Sequence, residues 1–146
     1  MIVYESTQTY TRVGEITHAN LDQPYKVFEY MKDAFESHPL QEQVWVIMLN
    51  RKNYPIARER VTIGSTTAAH LDPSMVFRPA ILAGSTAVIL AHNHPSGDPT
   101  ASVSDKVNTM KLIKCGKLLN IGVLDHVVIG HNQFYSMCDE HDCDFC

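Results

Sequence analysis

Residues 85–91, Ser-Thr-Ala-Val-Ile-Leu-Ala, are the most apolar short run in the chain and constrain its fold more than any other segment. The run has strand length and lacks polar alternation, so it reads as a strand buried on both faces. A sheet built around such a strand needs cover on both sides. The flanking segments supply it.

Gln23–His38 places Val27, Met31 and Phe35 four apart, with Phe28 and Ala34 beside them, which predicts an amphipathic helix. Pro24 near its start and Pro39 beyond its end suit those boundaries. Gln43–Asn50 is a second apolar run of strand length. Arg51–Pro55 reads as a turn into a more exposed strand over residues 56–63. Residues 72–84 predict a helix capped by Asp72 or Ser74 and stopped at Gly84, with Pro79 kinking or shortening it. Ser102–Leu119 is the longest helical segment, and residues 123–130 and 133–137 form a closing hairpin. The order helix, strand, strand, helix, strand, helix, strand, strand predicts an α/β sandwich, three-layered in character, with a mixed central sheet. The first 20 residues read as an N-terminal arm or an edge strand, residues 21–137 as the domain, and residues 138–146 as a Cys/His-rich acidic tail.

Hydrophobic content of 45% and charged content of 19% suit a globular domain of 146 residues. No apolar run approaches the roughly 20 residues that span a bilayer, so no membrane partner is expected. The first residues lack the apolar core of a secretory signal, and the cytoplasm is the expected compartment. A net charge of −4, without a long Lys/Arg cluster, does not support nucleic-acid binding. Cys115 falls in the long helical pattern and is read as a buried thiol. Cys138, His141, Cys143 and Cys146 crowd the tail; they could hold a second metal, but an acidic, mobile terminus is the simpler reading. Homo-oligomerisation is left open.

The polar corner after the buried strand carries the chemistry. His92 and His94 are two apart in extended backbone, so both rings project from one face. Pro95–Ala101 turns the chain sharply, and Asp105 falls in the first turn of the next helix. Two imidazoles, one carboxylate and a vacant position describe an open catalytic zinc site. The same residues admit a plainer reading, in which Ser102 and Asp105 form a helix capping box. A zinc deaminase is disfavoured, because it would need H-x-E and a downstream P-C-x-x-C.

His92, His94, Pro95, Ser102 and Asp105 follow the pattern H-x-H-P-x6-S-x-x-D, and the chain here resembles the RadC family within the JAB/MPN (JAMM) metalloprotease-like superfamily. Segments 76–100 and 116–130 look RadC-like as well, so the likeness covers approximately residues 20 to 137. Pro73, Ser74 and Met75 stand where the family usually reads Pro-Arg-Glu, outside the metal motif. The helix-hairpin-helix region typical of full-length RadC proteins has no counterpart in these residues.

The resemblance implies a JAB/MPN-like, cytidine-deaminase-like fold and one Zn2+ per chain held by His92, His94 and Asp105. It promotes Glu42, at the entry to the strand after the first helix, to general base, and makes Ser102 a donor to the developing oxyanion. The implied activity is hydrolysis of a peptide or isopeptide bond in a peptide or protein substrate. The alternative is a non-catalytic, metal-stabilised binding module, linked to DNA repair or mobile-element functions; the complete Glu/His/His/Ser/Asp set favours the enzyme. A metal-dependent nuclease conflicts with the charge balance. Asn93 is read as structural, Asp98 as a turn residue, and His126 as a satisfied core histidine rather than a group behind the ligands. His70 and Arg78, near a helix that could border the cleft, are assigned no role.

Overall fold

The computed structural model describes residues 1–15, 20–64 and 71–145. Its elements are α1 (Pro24–Met31), β1 (Gln43–Leu49), β2 (Pro55–Ile63), α2 (Pro73–Leu82), β3 (Ala87–Asn93), α3 (Val103–Leu119), β4 (Gly122–Ile129) and β5 (Phe134–Ser136). The sheet order is β2-β1-β3-β4-β5. Among the described residues only the β3–β4 pair is parallel, and α3 supplies the crossover that such a pair needs. The expected mixed central sheet is present.

β3 lies at the centre, and all seven of its residues are buried. Its side chains alternate between two cores. Val88 and Leu90 join Val76, Phe77, Leu112 and Ile113 under α2 and α3, while Ala87, Ile89 and Ala91 join Val27, Met31 and Phe35 under α1. The strand is apolar on both faces because helices cover both. The same alternation carries His92 to the α3 side and leaves Asn93 facing the α1 side.

Three expectations need correcting. The first helix ends at Met31 rather than running to His38. Beyond it the chain tightens into turns bonded three residues apart, which keep Ala34 and Phe35 in the core. The carbonyls of Phe35 and His38, each already accepting one of these turn bonds, also accept from the buried Gln43 side chain. In α2, Asp72 is the N-cap residue but makes no side-chain cap bond; Pro73 at the first helical position starts the helix instead. Cys115 is partly buried, packed beside the α2–α3 core.

Residues 1–15 form neither helix nor strand and are exposed. After β5 the tail folds back in turns onto α3. Lys106 pairs with Asp142 at 2.6 Å, Tyr135 donates its hydroxyl proton to the same carboxylate, and Phe145 packs against the core. Among the described residues no helix is long and apolar enough to cross a membrane.

Candidate metal centre

Glu42, His92, His94 and Asp105 converge, with one ligand atom from each lying within 4.8 Å of the others. Each reaches this point by a different local device.

His92 is the penultimate residue of β3 and is 1% exposed. His94 lies one residue past the strand, where its backbone N–H still bonds to the Ile129 carbonyl at the end of β4. Its Nδ1 donates to the Asp98 carbonyl at 2.8 Å. The neutral ring therefore presents the Nε2 lone pair to the site. Asp98 does act as a turn residue through its side chain, which accepts from Thr100. Its carbonyl has the added task of orienting His94, and residue type could not have signalled that.

Asp105 satisfies both readings of its motif. It forms a capping box with Ser102: Asp105 Oδ2 accepts from the Ser102 N–H at 2.8 Å, and Ser102 Oγ accepts from the Asp105 N–H at 3.1 Å. The carboxylate so held lies 3.6 Å from His92 Nε2 and 3.7 Å from His94 Nε2. Ser102 itself is exposed at the rim. As an acceptor in the cap, its hydroxyl keeps a proton to donate elsewhere.

Glu42 precedes β1, whose antiparallel register sets Val44 against His92. Asn93 fixes it from behind: Oδ1 accepts from the Gln43 N–H at 2.7 Å and Nδ2 donates to the Gln41 carbonyl at 3.1 Å. The Gly64 N–H holds the Glu42 carbonyl at 2.9 Å. With its main chain bound on both flanks, Glu42 sends Oε1 to 3.8 Å from His92 Nε2 and 3.7 Å from His94 Nε2. Asn93 is structural as expected, and the structure it serves is Glu42.

The donor set fits a divalent ion. His92 Nε2 and His94 Nε2 face each other at 2.9 Å. The His94 atom brings a lone pair, so this approach needs a shared proton or a cation. Two ligands about 2.0–2.2 Å from a tetrahedral zinc lie about 3.4 Å apart, close to the 3.6 and 3.7 Å that separate the Asp105 oxygens from the imidazoles.

The two carboxylates differ sharply. Burial pushes Asp105 up, but both histidines and the cap outweigh it and hold the group far below the usual carboxylate range. Burial raises Glu42 despite the attraction of His92 and His94. His94 is raised by its bond to Asp105, against the effect of burial.

His126 corrects the sequence reading. It is a buried, satisfied histidine, as read, but it also stands directly behind His92, its Nε2 2.7 Å from His92 Nδ1. Its Nδ1 is 2.6 Å from Thr109 Oγ1 on α3. Burial takes His126 well below the ordinary imidazole range. Arg78 is exposed on α2 and lies outside the cluster. His70 and Cys146 fall outside the described residues. Among the described residues, Cys138, His141 and Cys143 join no second metal-competent group.

Known proteins point the same way. Residues 21–142 match the family model described as the RadC-like JAB domain. A UPF0758 protein of Symbiobacterium thermophilum is 43% identical over 121 residues, which is 83% of this chain and 51% of the relative. One from Chlorobaculum tepidum is 42% identical over 113 residues, 77% of this chain and 50% of the relative. A third, from Carboxydothermus hydrogenoformans, is 41% identical over 128 residues, 88% of this chain and 56% of the relative. The chain spans about half the length of the curated relatives it matches. With its mixed sheet and its His-x-His corner facing a capped aspartate, the chain belongs to the RadC-like JAB domain family.

Proposed function

We propose that this domain is a zinc-dependent hydrolase of the JAMM type that cleaves a peptide or isopeptide bond. The observation that carries the reading is the convergence of Glu42 with His92, His94 and Asp105 within 4.8 Å. His92, His94 and Asp105 would hold the ion. When bound, a zinc ion supplies Lewis acidity, polarising a carbonyl and lowering the pKa of water from about 16 to about 7. Glu42, held by Asn93 and Gly64, takes the proton from the attacking water and returns it to the leaving amine. Ser102, its oxygen engaged by the cap, donates its proton to the oxyanion as negative charge develops. Asp105 stays ionised throughout, because the cap and both imidazoles hold it so.

Metal analysis of purified protein should give about one zinc per chain, lost in His92→Ala and Asp105→Ala and kept in Glu42→Gln. A peptide and isopeptide library should then be cut by the wild type and left whole by Glu42→Gln. Equal cleavage by both would remove Glu42 from the chemistry. If both leave the library whole while zinc stays bound, the domain is a metal-stabilised binding module.

A further inference from the structure

Three groups behind the site form an unbroken line of hydrogen bonds that the hydrolytic steps do not use. Thr109 Oγ1 donates to the Asp105 carbonyl at 2.7 Å. A hydroxyl has one proton, so toward His126 Nδ1, at 2.6 Å, the same oxygen must accept. His126 therefore carries its proton on Nδ1 and leaves Nε2 as an acceptor. His92 Nδ1, 2.7 Å from that Nε2, must then be the donor. The His92 proton is thus on Nδ1, and its Nε2 lone pair is turned toward His94, Glu42 and Asp105. Each direction follows from the preceding one, and the line begins at a main-chain carbonyl, which can only accept.

We propose that Thr109 and His126 are positioning residues that lock the tautomer of His92 and so prepare the site for a metal ion. The lock joins two ligands from different elements, since Thr109 sits one turn after Asp105 on α3 and His126 stands behind His92 on β4. It is the counterpart of the Asp98 carbonyl, which sets the tautomer of His94 from the opposite side. Groups in this role typically change metal affinity by about 10- to 100-fold when removed.

The proposal rests on the metal-site reading above, and two measurements keep the two separable. In the metal-free wild type at about pH 8, above the ordinary imidazole range, long-range proton–nitrogen NMR should show pyrrole-like Nδ1 and pyridine-like Nε2 in both His92 and His126. A His92 proton found on Nε2 overturns the lock, whether or not the protein takes up zinc. In a chelator competition, Thr109→Val should lose about tenfold or more in zinc affinity, and Thr109→Ser should stay close to wild type. Equal affinity for wild type and Thr109→Val also overturns it, with the metal site left standing. A wild type that takes up no zinc sinks the metal reading instead, while the NMR result still decides the tautomer. Should Thr109→Val not fold, the wild-type spectrum and Thr109→Ser carry the decision.

Discussion

Asp105 caps α3 and, under the proposed function, would also ligate the ion, two roles that substitution can separate. Asparagine keeps a side-chain oxygen for the Ser102 N–H but forfeits the anionic ligand, whereas alanine forfeits both. Asp105→Asn and Asp105→Ala should therefore both lose zinc, while the metal-free alanine variant is the less stable by about 1 kcal/mol, the usual worth of a cap. Urea denaturation of the two apo proteins measures the difference; equal midpoints would mean that the capping box contributes nothing. Asn93 offers a matching test. Asn93→Ala strands the Gln43 N–H and the Gln41 carbonyl, at a cost of about 1–3 kcal/mol. It should lower the denaturation midpoint and reduce hydrolysis while zinc stoichiometry stays at wild type; loss of zinc from this variant would show that Asn93 serves the ligands and not Glu42. These residues also mark what could be read in advance. His92, His94 and Asp105 lie within one turn of chain, so their convergence follows from strand alternation and a helix cap. Glu42 is fifty positions from His92, and only the pairing of β1 with β3 joins them. No local pattern marks such a residue, and it entered through family resemblance alone.

Elements were legible wherever a segment's own periodicity or cap decided them. β3 is apolar from Ala87 to Ala91 and buried at every position, and α3 starts at a Ser/Asp box and stops at Asn120 in the left-handed conformation. The sequence pattern overextends α1, because the apolar spacing of Ala34 and Phe35 persists through turns that are no longer α-helical. His126 was undervalued for a different reason. Its nearness to His92 and Thr109 depends on the β3–β4 pairing and the seating of α3, neither of which is written in its neighbours. The loop after β3 shows how an element serves the site. A Cβ on Gly130 would fall 2.2 Å from the Gly97 carbonyl oxygen, an approach open only to glycine. That carbonyl also accepts from the His131 N–H and the Gln133 side chain, which pins the loop whose Asp98 carbonyl orients His94. Gly130→Ala should cost about 1–3 kcal/mol through this overlap and weaken zinc binding, although residue 130 touches no ligand. Calorimetry with and without zinc would test it; unchanged affinity would mean that the loop and the metal centre are independent.

At the scale of the molecule, a broad groove and the chemistry are in different places. A groove of about 1150 Å³ runs between residues 8–15 of the arm and the α1, β1 and β2 side of the fold, and none of the four convergent residues lines it. The tail, by contrast, closes onto α3 beside the site, since Asp142 grips the residue that follows Asp105. Burial pushes Asp142 up, but its bonds from Lys106 and Tyr135 outweigh this and lower it below the ordinary carboxylate value, while the same contact raises Lys106. The signs set a window. A depressed carboxylate contributes stability that is fully present above about pH 4 and is lost as pH falls through its folded value, whereas a raised lysine contributes stability present below about pH 10.4 and lost as pH rises through its own. The difference in melting temperature between wild type and Asp142→Asn should accordingly be flat from about pH 5 to about pH 9 and shrink toward zero on either side. It should also fall with added salt, because Lys106 is partly exposed and the pair is screened. A gap that widens in acid would mean that the tail is held by Cys143 and Phe145 packing, and that the ion pair beside the candidate metal centre is a bystander.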